Sequence, residues 1–188
     1  YTVTWAQNGT WTLVGARWQG SSVHPLFFHD GFSSGLGPPP SGKWTPYSGV
    51  WSIDGGRLVQ NSESSLYSNT NIYAAVAQTG ATVYRWKASY TTTVRGGIHI
   101  FANQPTGENR GSSYLIWQYN GTSIRVYKSV ANTLRLWASF TTLPTSLQQT
   151  YEYEVRYDPD SGAIEVWRNG GFIGDWVDTS PLRSGSYI

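Results

Sequence analysis

The chain contains neither cysteine nor methionine, and only 13% of its 188 residues are charged. Without cysteine there is no disulfide, no thiolate metal site and no cysteine nucleophile, so stability must come from packing and hydrogen bonding. Losing both oxidisable sulfur side chains suits life outside the cell. No apolar run approaches the roughly 18 residues of a spanning helix, so a helical membrane span is not expected. A net charge of +2, with 13 scattered basic residues, gives no footprint for a phosphate backbone, and nucleic acid is not an expected partner. The chain opens at Tyr1 without a signal-type stretch and reads as a mature secreted or cell-surface segment.

Aromatic side chains fill the place that charge leaves. They make up 15% of the chain, with 10 Trp and 13 Tyr, set among Thr, Ser, Gly and Val, a composition of strands and tight turns. One domain is expected over residues 1–188. Within it, residues 1–24 read as an N-terminal hairpin or extension, with Val3, Trp5, Trp11 and Leu13 on one face. A breaker-rich loop follows at 31–42 and includes Pro38, Pro39 and Pro40. Strands are expected at 50–53, 57–60, 84–92, 97–102, 113–119, 123–127, 133–140, 151–157, 163–167 and 172–177. Turn residues separate them at Asp54-Gly55-Gly56, Asn120-Gly121, Asp158 to Gly162 and Asn169-Gly170-Gly171. Many short strands at such intervals specify a sandwich or barrel with no substantial helix. The clearest hairpin sets Tyr153, Val155, Ile164 and Val166 inward and Glu152, Glu154, Arg156 and Glu165 to water. Asn8 and Asn120 begin Asn-Gly-Thr sequons that also read as turns.

From Leu26 onward an ordered series of segments carries a resemblance. "FFHDGFSSG" looks like an opening strand and "YSGVWSIDGGRLVQ" like a W-x-(V/I)-x-x-G-x-L hairpin. "GGIHIFA", "SSYLIWQ" and "SIRVYKS" follow as central strands, then the hairpin "YEYEVRYDPDSGAIEVWRNG" and the closing turn "WVDTSPLRSGSYI". The series resembles the laminin-G-like branch of the concanavalin A-like lectin and glucanase superfamily. That resemblance implies an all-β, two-layer antiparallel jelly-roll sandwich over residues 25–188, and a structural calcium ion with Asp30 as a ligand. Family members continue past the equivalent of Ile188 into a strand that pairs with the opening one. The gap left here is filled either by this chain's own N-terminal hairpin or by a strand from a neighbouring copy.

Catalysis is not expected. Retaining glycosidases need two carboxyl groups about 5 Å apart. Glu152 and Glu154 have the strand spacing but read as a solvated face balanced by Arg156 and Arg168, while His24, His29 and His99 fit no nucleophile or metal spacing. Glycan binding needs only aromatic faces for sugar C–H groups and directed donors and acceptors for hydroxyls. The expected surface lies on residues 97–137. Alternation there groups His99, Tyr114, Gln118, Arg125 and Tyr127 away from Ile98, Ile100, Leu115 and Val126, with Trp137 at its far end and Asn103, Glu108, Asn109 and Arg110 in an adjoining loop. Three functions follow: an extracellular, lectin-like module binding a polysaccharide, a fibre or adhesin subunit self-assembling through its N-terminal strand, and a glycoside hydrolase or lyase.

Overall fold

The computed structural model describes residues 12–17, 26–37, 41–61 and 70–188, with side chains from Phe28 onward. All regular structure among them is β. The strands are β1 (Thr12–Arg17), β2 (Leu26–His29), β3 (Thr45–Ser48), β4 (Trp51–Ile53), β5 (Leu58–Gln60), β6 (Asn71–Tyr73), β7 (Ala75–Thr79) and β8 (Thr82–Ala88). They continue with β9 (Arg95–Ile100), β10 (Ser113–Tyr119), β11 (Ser123–Val130), β12 (Thr133–Thr141), β13 (Tyr151–Asp158), β14 (Ala163–Arg168), β15 (Gly171–Val177) and β16 (Ser184–Tyr187). Every pairing between them is antiparallel.

Two layers form. One is a six-stranded sheet in the order β15-β14-β13-β8-β1-β2, and the other a four-stranded sheet in the order β12-β11-β10-β9. A bridge between Ala102 and Tyr187 joins the β16–β7 pair to the end of β9. Alternation explains why the layers stick. In β13 and β14 the odd and even positions respectively turn inward, burying Tyr153, Val155, Tyr157, Ile164 and Val166. Ile100, Tyr114, Ile116, Ile124 and Val126 from the four-stranded sheet meet them in one core. Contact across the layers is aromatic, with Tyr157 edge-on to Phe101 at 4.7 Å and to Tyr114 at 5.0 Å. At the side where β12 and β15 run together, Trp137 stacks on Trp176 at 5.4 Å.

The core carries polar groups, and they are bonded. Gln78 donates to the Tyr187 and Val76 carbonyls and accepts from the Tyr84 hydroxyl and the Phe101 N–H, tying the closing strand β16 to the middle of the sandwich. Lys128 reaches Asp178 at 2.6 Å, and the Tyr114 hydroxyl donates to the same carboxylate oxygen at 2.5 Å. Burial alone would raise the Asp178 pKa, but these bonds hold it below the ordinary carboxylate value.

Several expectations are sharpened. The strand Thr12–Arg17 lies between β8 and β2 of its own chain, so this part of the N-terminal segment already pairs on both sides. The expected turn near Asn8 lies outside the described residues. Strands β3, β6, β7 and β16 are not expected from the sequence; β7 alternates in burial, but its Ala-Val-Ala-Gln-Thr run buries Gln78 and exposes alanines, which hides the alternation from a hydrophobicity pattern. The turn joining β11 to β12 places Ala131 at φ 49° and Asn132 at φ 65°, a left-handed pair without the glycine that marks such turns. Asn169 and Gly170, by contrast, take φ 51° and 78° as an Asn-Gly hairpin should.

Candidate functional site

The outer face of the four-stranded sheet is built by register. Gly97 pairs with Trp117 and Trp117 with Arg125, while Leu115 pairs with His99 on one side and Tyr127 on the other; Tyr119 pairs with Arg95 and Ser123. In β10 the even positions Tyr114, Ile116 and Gln118 turn into the core, which sends Leu115, Trp117 and Tyr119 outward. Trp117, Tyr119, Arg125 and Tyr127 are all partly exposed there. Gly97 is required by its neighbour, since a Cβ would lie 2.0 Å from the Ile116 carbonyl oxygen; it also leaves the β9 side of Trp117 without a flanking side chain.

Arg125 lies flat on this face. Its guanidinium is 3.6 Å from the Tyr119 ring centroid, and Nη1 donates to the Tyr127 hydroxyl at 3.2 Å. Arg95 approaches the same Tyr119 ring at 5.1 Å and donates from Nη2 to Asn120 Oδ1 at 3.3 Å. The result is a cation-aromatic platform fixed on a rigid sheet.

A loop bounds one end of the platform. Ser113 Oγ donates to the Asn109 carbonyl at 2.9 Å and Ser129 Oγ to the Gly111 carbonyl at 2.7 Å, so residues 109–111 cover the last row of the outer face. Arg110 secures this loop from within. It is buried at φ 60°, donates to the Ile72 carbonyl at 2.8 Å and to the Pro105 carbonyl, and sits over Tyr73. Burial lowers its pKa to about 10, which leaves it charged at neutral pH. Next to the loop, His99 Nδ1 lies 3.0 Å from Ser113 Oγ. Ser113 spends its one hydroxyl proton on Asn109, so Nδ1 of a neutral His99 carries the hydrogen and Nε2 is an acceptor. Burial, with the Arg110 charge adding to it, lowers the His99 pKa to about 3.

No protein-family model and no curated protein sequence matches this chain. Among solved structures it is similar to the carbohydrate binding module CBM66 from Bacillus subtilis. The two share 13% identity and superpose with a TM-score of 0.62 over 77% of this chain and 84% of that one. The fold is a concanavalin A-like jelly roll. Looser similarities are to sheep galectin-11 (16% identity, TM-score 0.49, 61% of this chain and 84% of that one) and to a heptameric SAP-like pentraxin from Limulus polyphemus (10%, 0.43, 95% and 62%).

Within this jelly roll the residues singled out from sequence separate into three groups. His99, Arg125 and Tyr127 share the outer face. Tyr114 and Gln118 do not; both are buried on the core side with Ile98 and Ile100, bonded to Asp178 and to Ser123 and Tyr153. Leu115 is buried at 6% exposure, as expected, although its parity is outward, where its row-mates His99 and Tyr127 flank it. Arg110 is a loop clamp, and the exposed Asn103 braces the loop by accepting the Ser112 N–H at 2.8 Å. Trp137 is the extra residue of a bulge in β12 and stands 49% exposed at the sandwich edge, with Arg135 at 6.0 Å.

Trp117, Tyr119 and Arg95 were missed, although strict alternation counted outward from buried Ile116 finds the first two. The polar Gln118 and the hydroxyl of Tyr114 drew the surface reading to the wrong parity.

Asp30 has a structural task. Its Oδ1 accepts the Phe32 N–H at 2.8 Å, holding Phe32 at φ 53° with its ring 6.1 Å from Trp44. Calcium takes about six to eight oxygens. Among the described residues no three of His, Asp and Glu converge, and the Lys43 ammonium already occupies the neighbouring His29 carbonyl, so the groups around Asp30 do not form such a cage. The carboxylate pair fares similarly as an acid-base couple. Glu154 is bonded by Arg85 and Arg156, both at 2.6 Å; burial would raise its pKa, yet these bonds bring it below the ordinary value, the wrong direction for a proton donor.

Proposed function

We propose that this chain is an extracellular, non-catalytic carbohydrate-binding module, related most nearly to the laminin-G-like branch by its strand motifs, that holds a glycan on the outer face of the four-stranded sheet. The observation that carries the reading is the platform itself. Trp117 stands beside an Arg125 already locked by Tyr119 and Tyr127, so an apolar ring face and directed donors are offered together with little ordering left to do. His99 Nε2 and the tyrosine oxygens add acceptors for hydroxyls. Trp117 shares a row with Arg125, His99 and Tyr127 lie in the next outward row, and the covering loop 109–111 closes the row beyond that.

The test is retention in affinity electrophoresis on a panel of neutral and acidic polysaccharides, with and without Trp117→Ala. Retention of the parent chain and its loss in the variant, with no release of reducing ends, is expected. Retention on none of the panel, or equal retention of both proteins, overturns the reading.

A further inference from the structure

The charges on the outer face are uncompensated. Away from this face, Arg85 pairs with Glu154, Lys87 with Glu152, Arg156 with Glu154 and Glu165, Lys128 with Asp178, and Arg183 with Asp160, while Lys43, Arg110 and Arg168 are held by carbonyls, hydroxyls and rings. On the four-stranded sheet's outer face no strand position holds a carboxylate, and residues 95–150 contain a single acidic residue, Glu108, in the loop between β9 and β10. Arg125 and Arg95 instead share one neutral partner, the Tyr119 ring, at 3.6 and 5.1 Å. Two like charges gathered on one ring without a counter-ion repel each other, and an anion placed between them relieves that repulsion.

The donor inventory points the same way. A guanidinium has five N–H groups and no acceptor, and its planar fork matches a carboxylate or a sulfate with two parallel bonds. Arg125 is partly exposed and uses one N–H on Tyr127; its Nε is buried, so the fork it offers an anion is the one formed by its two terminal nitrogens. A site for neutral sugars gains from carboxylates, which accept hydroxyl protons; this face supplies none.

We propose that the outer-face site takes an acidic glycan, a polymer whose rings carry carboxylate or sulfate groups, with the anion on Arg125 and Arg95 and the ring on Trp117. The proposal rests on the glycan-binding reading above and adds the substrate class. Arg125 then sets specificity, and Arg95, more exposed and held by one bond, contributes less.

Affinity is measured for polygalacturonate, dextran sulfate and unmodified dextran, the first two separating carboxylate from sulfate as the preferred anion. Because any basic protein attracts polyanions, Arg125→Gln is compared with Arg183→Gln, which removes the same charge from a distant exposed ion pair. Arg125→Gln is expected to weaken binding to the preferred polyanion by about tenfold, Arg95→Gln by less, and Arg183→Gln by under about twofold. Thermal melting of each variant shows that the sandwich is intact. Equal losses in Arg125→Gln and Arg183→Gln, or dextran bound as well as the polyanions, overturn the acidic class while glycan binding stands. Binding to none of the three, and to no other polysaccharide, overturns both.

Discussion

The two outer faces of this sandwich are made from the same kind of alternating strand and meet the same solvent, yet they handle charge in opposite ways. On the six-stranded sheet, Arg85, Glu154, Arg156 and Glu165 form a continuous lattice with contacts from 2.6 to 3.7 Å, and Lys87 pairs with Glu152. Most charges there have an opposite charge beside them, although Asp175 lies in register with Glu165. On the four-stranded sheet the cations lie on aromatic rings, with valences to spare. The lesson is that a two-layer sandwich can give its two faces different electrostatic character by where it places its carboxylates, without altering the backbone.

Trp117→Ala is expected to have the largest effect on binding, a loss of about 2 kcal/mol or roughly 30-fold, since an aromatic anchor on a rigid surface concentrates binding energy. Trp167→Ala, which removes an indole from the opposite face where it packs on Phe172 at 5.1 Å, should leave affinity unchanged. Titration calorimetry of both variants distinguishes the faces, and equal losses break the contrast.

Acid separates the faces next. Burial holds the folded His99 pKa near 3, well below its ordinary 6.5, so between these values the unfolded chain binds a proton that the folded chain refuses. Stability therefore falls as pH drops from about 6.5, by about 2 kcal/mol at about pH 5 for this group. Despite burial, which would raise it, the folded pKa of Glu154 on the opposite face is held below the ordinary 4.5 by its arginine partners; its contribution is full above that value and is lost only as pH falls further. Urea melts from neutral to pH 5 should show the His99 slope and lose it in His99→Gln. A slope that persists in that variant assigns the acid sensitivity elsewhere.

The smallest effect is expected from Glu154→Gln. Its arginine partners are 39% and 47% exposed, and such pairs are worth below about 1 kcal/mol, so the melting midpoint should barely move and glycan affinity not at all. A large loss of affinity in this variant would place the site on the wrong sheet.

How much of this was legible depended on whether a residue's chemistry and its parity agreed. The hairpin of β13 and β14 is readable at Tyr153, Val155, Ile164 and Val166 because these inward positions are apolar or tyrosine among charged outward ones. Arg168, expected to balance the outer carboxylates, is instead buried and donates to Thr142, Thr145 and the Leu143 carbonyl. In β10 chemistry and parity disagree. Tyr114 and Gln118 are polar residues buried because the core supplies Asp178, Tyr153 and a carbonyl to bond them, and Leu115 is an apolar residue of outward parity that its neighbours bury. Alternation without knowledge of partners cannot rank those cases. The clamp formed by Arg110 was beyond reach for a related reason, since its acceptor is a backbone carbonyl 38 positions away in β6. Asp30 was read by analogy as a metal ligand, whereas two residues of local geometry turn its carboxylate onto the Phe32 N–H.

Heteronuclear NMR shift mapping during titration with the polysaccharide that retains the chain best is the most direct examination of the central claim, that the aromatic face of the four-stranded sheet is the binding surface. The account predicts perturbations at Trp117, Tyr119, Arg125 and Tyr127, with Trp167 and Phe172 silent. Shifts confined to Trp167 and Phe172, or to Trp137 and Trp176 at the sandwich edge, would contradict it.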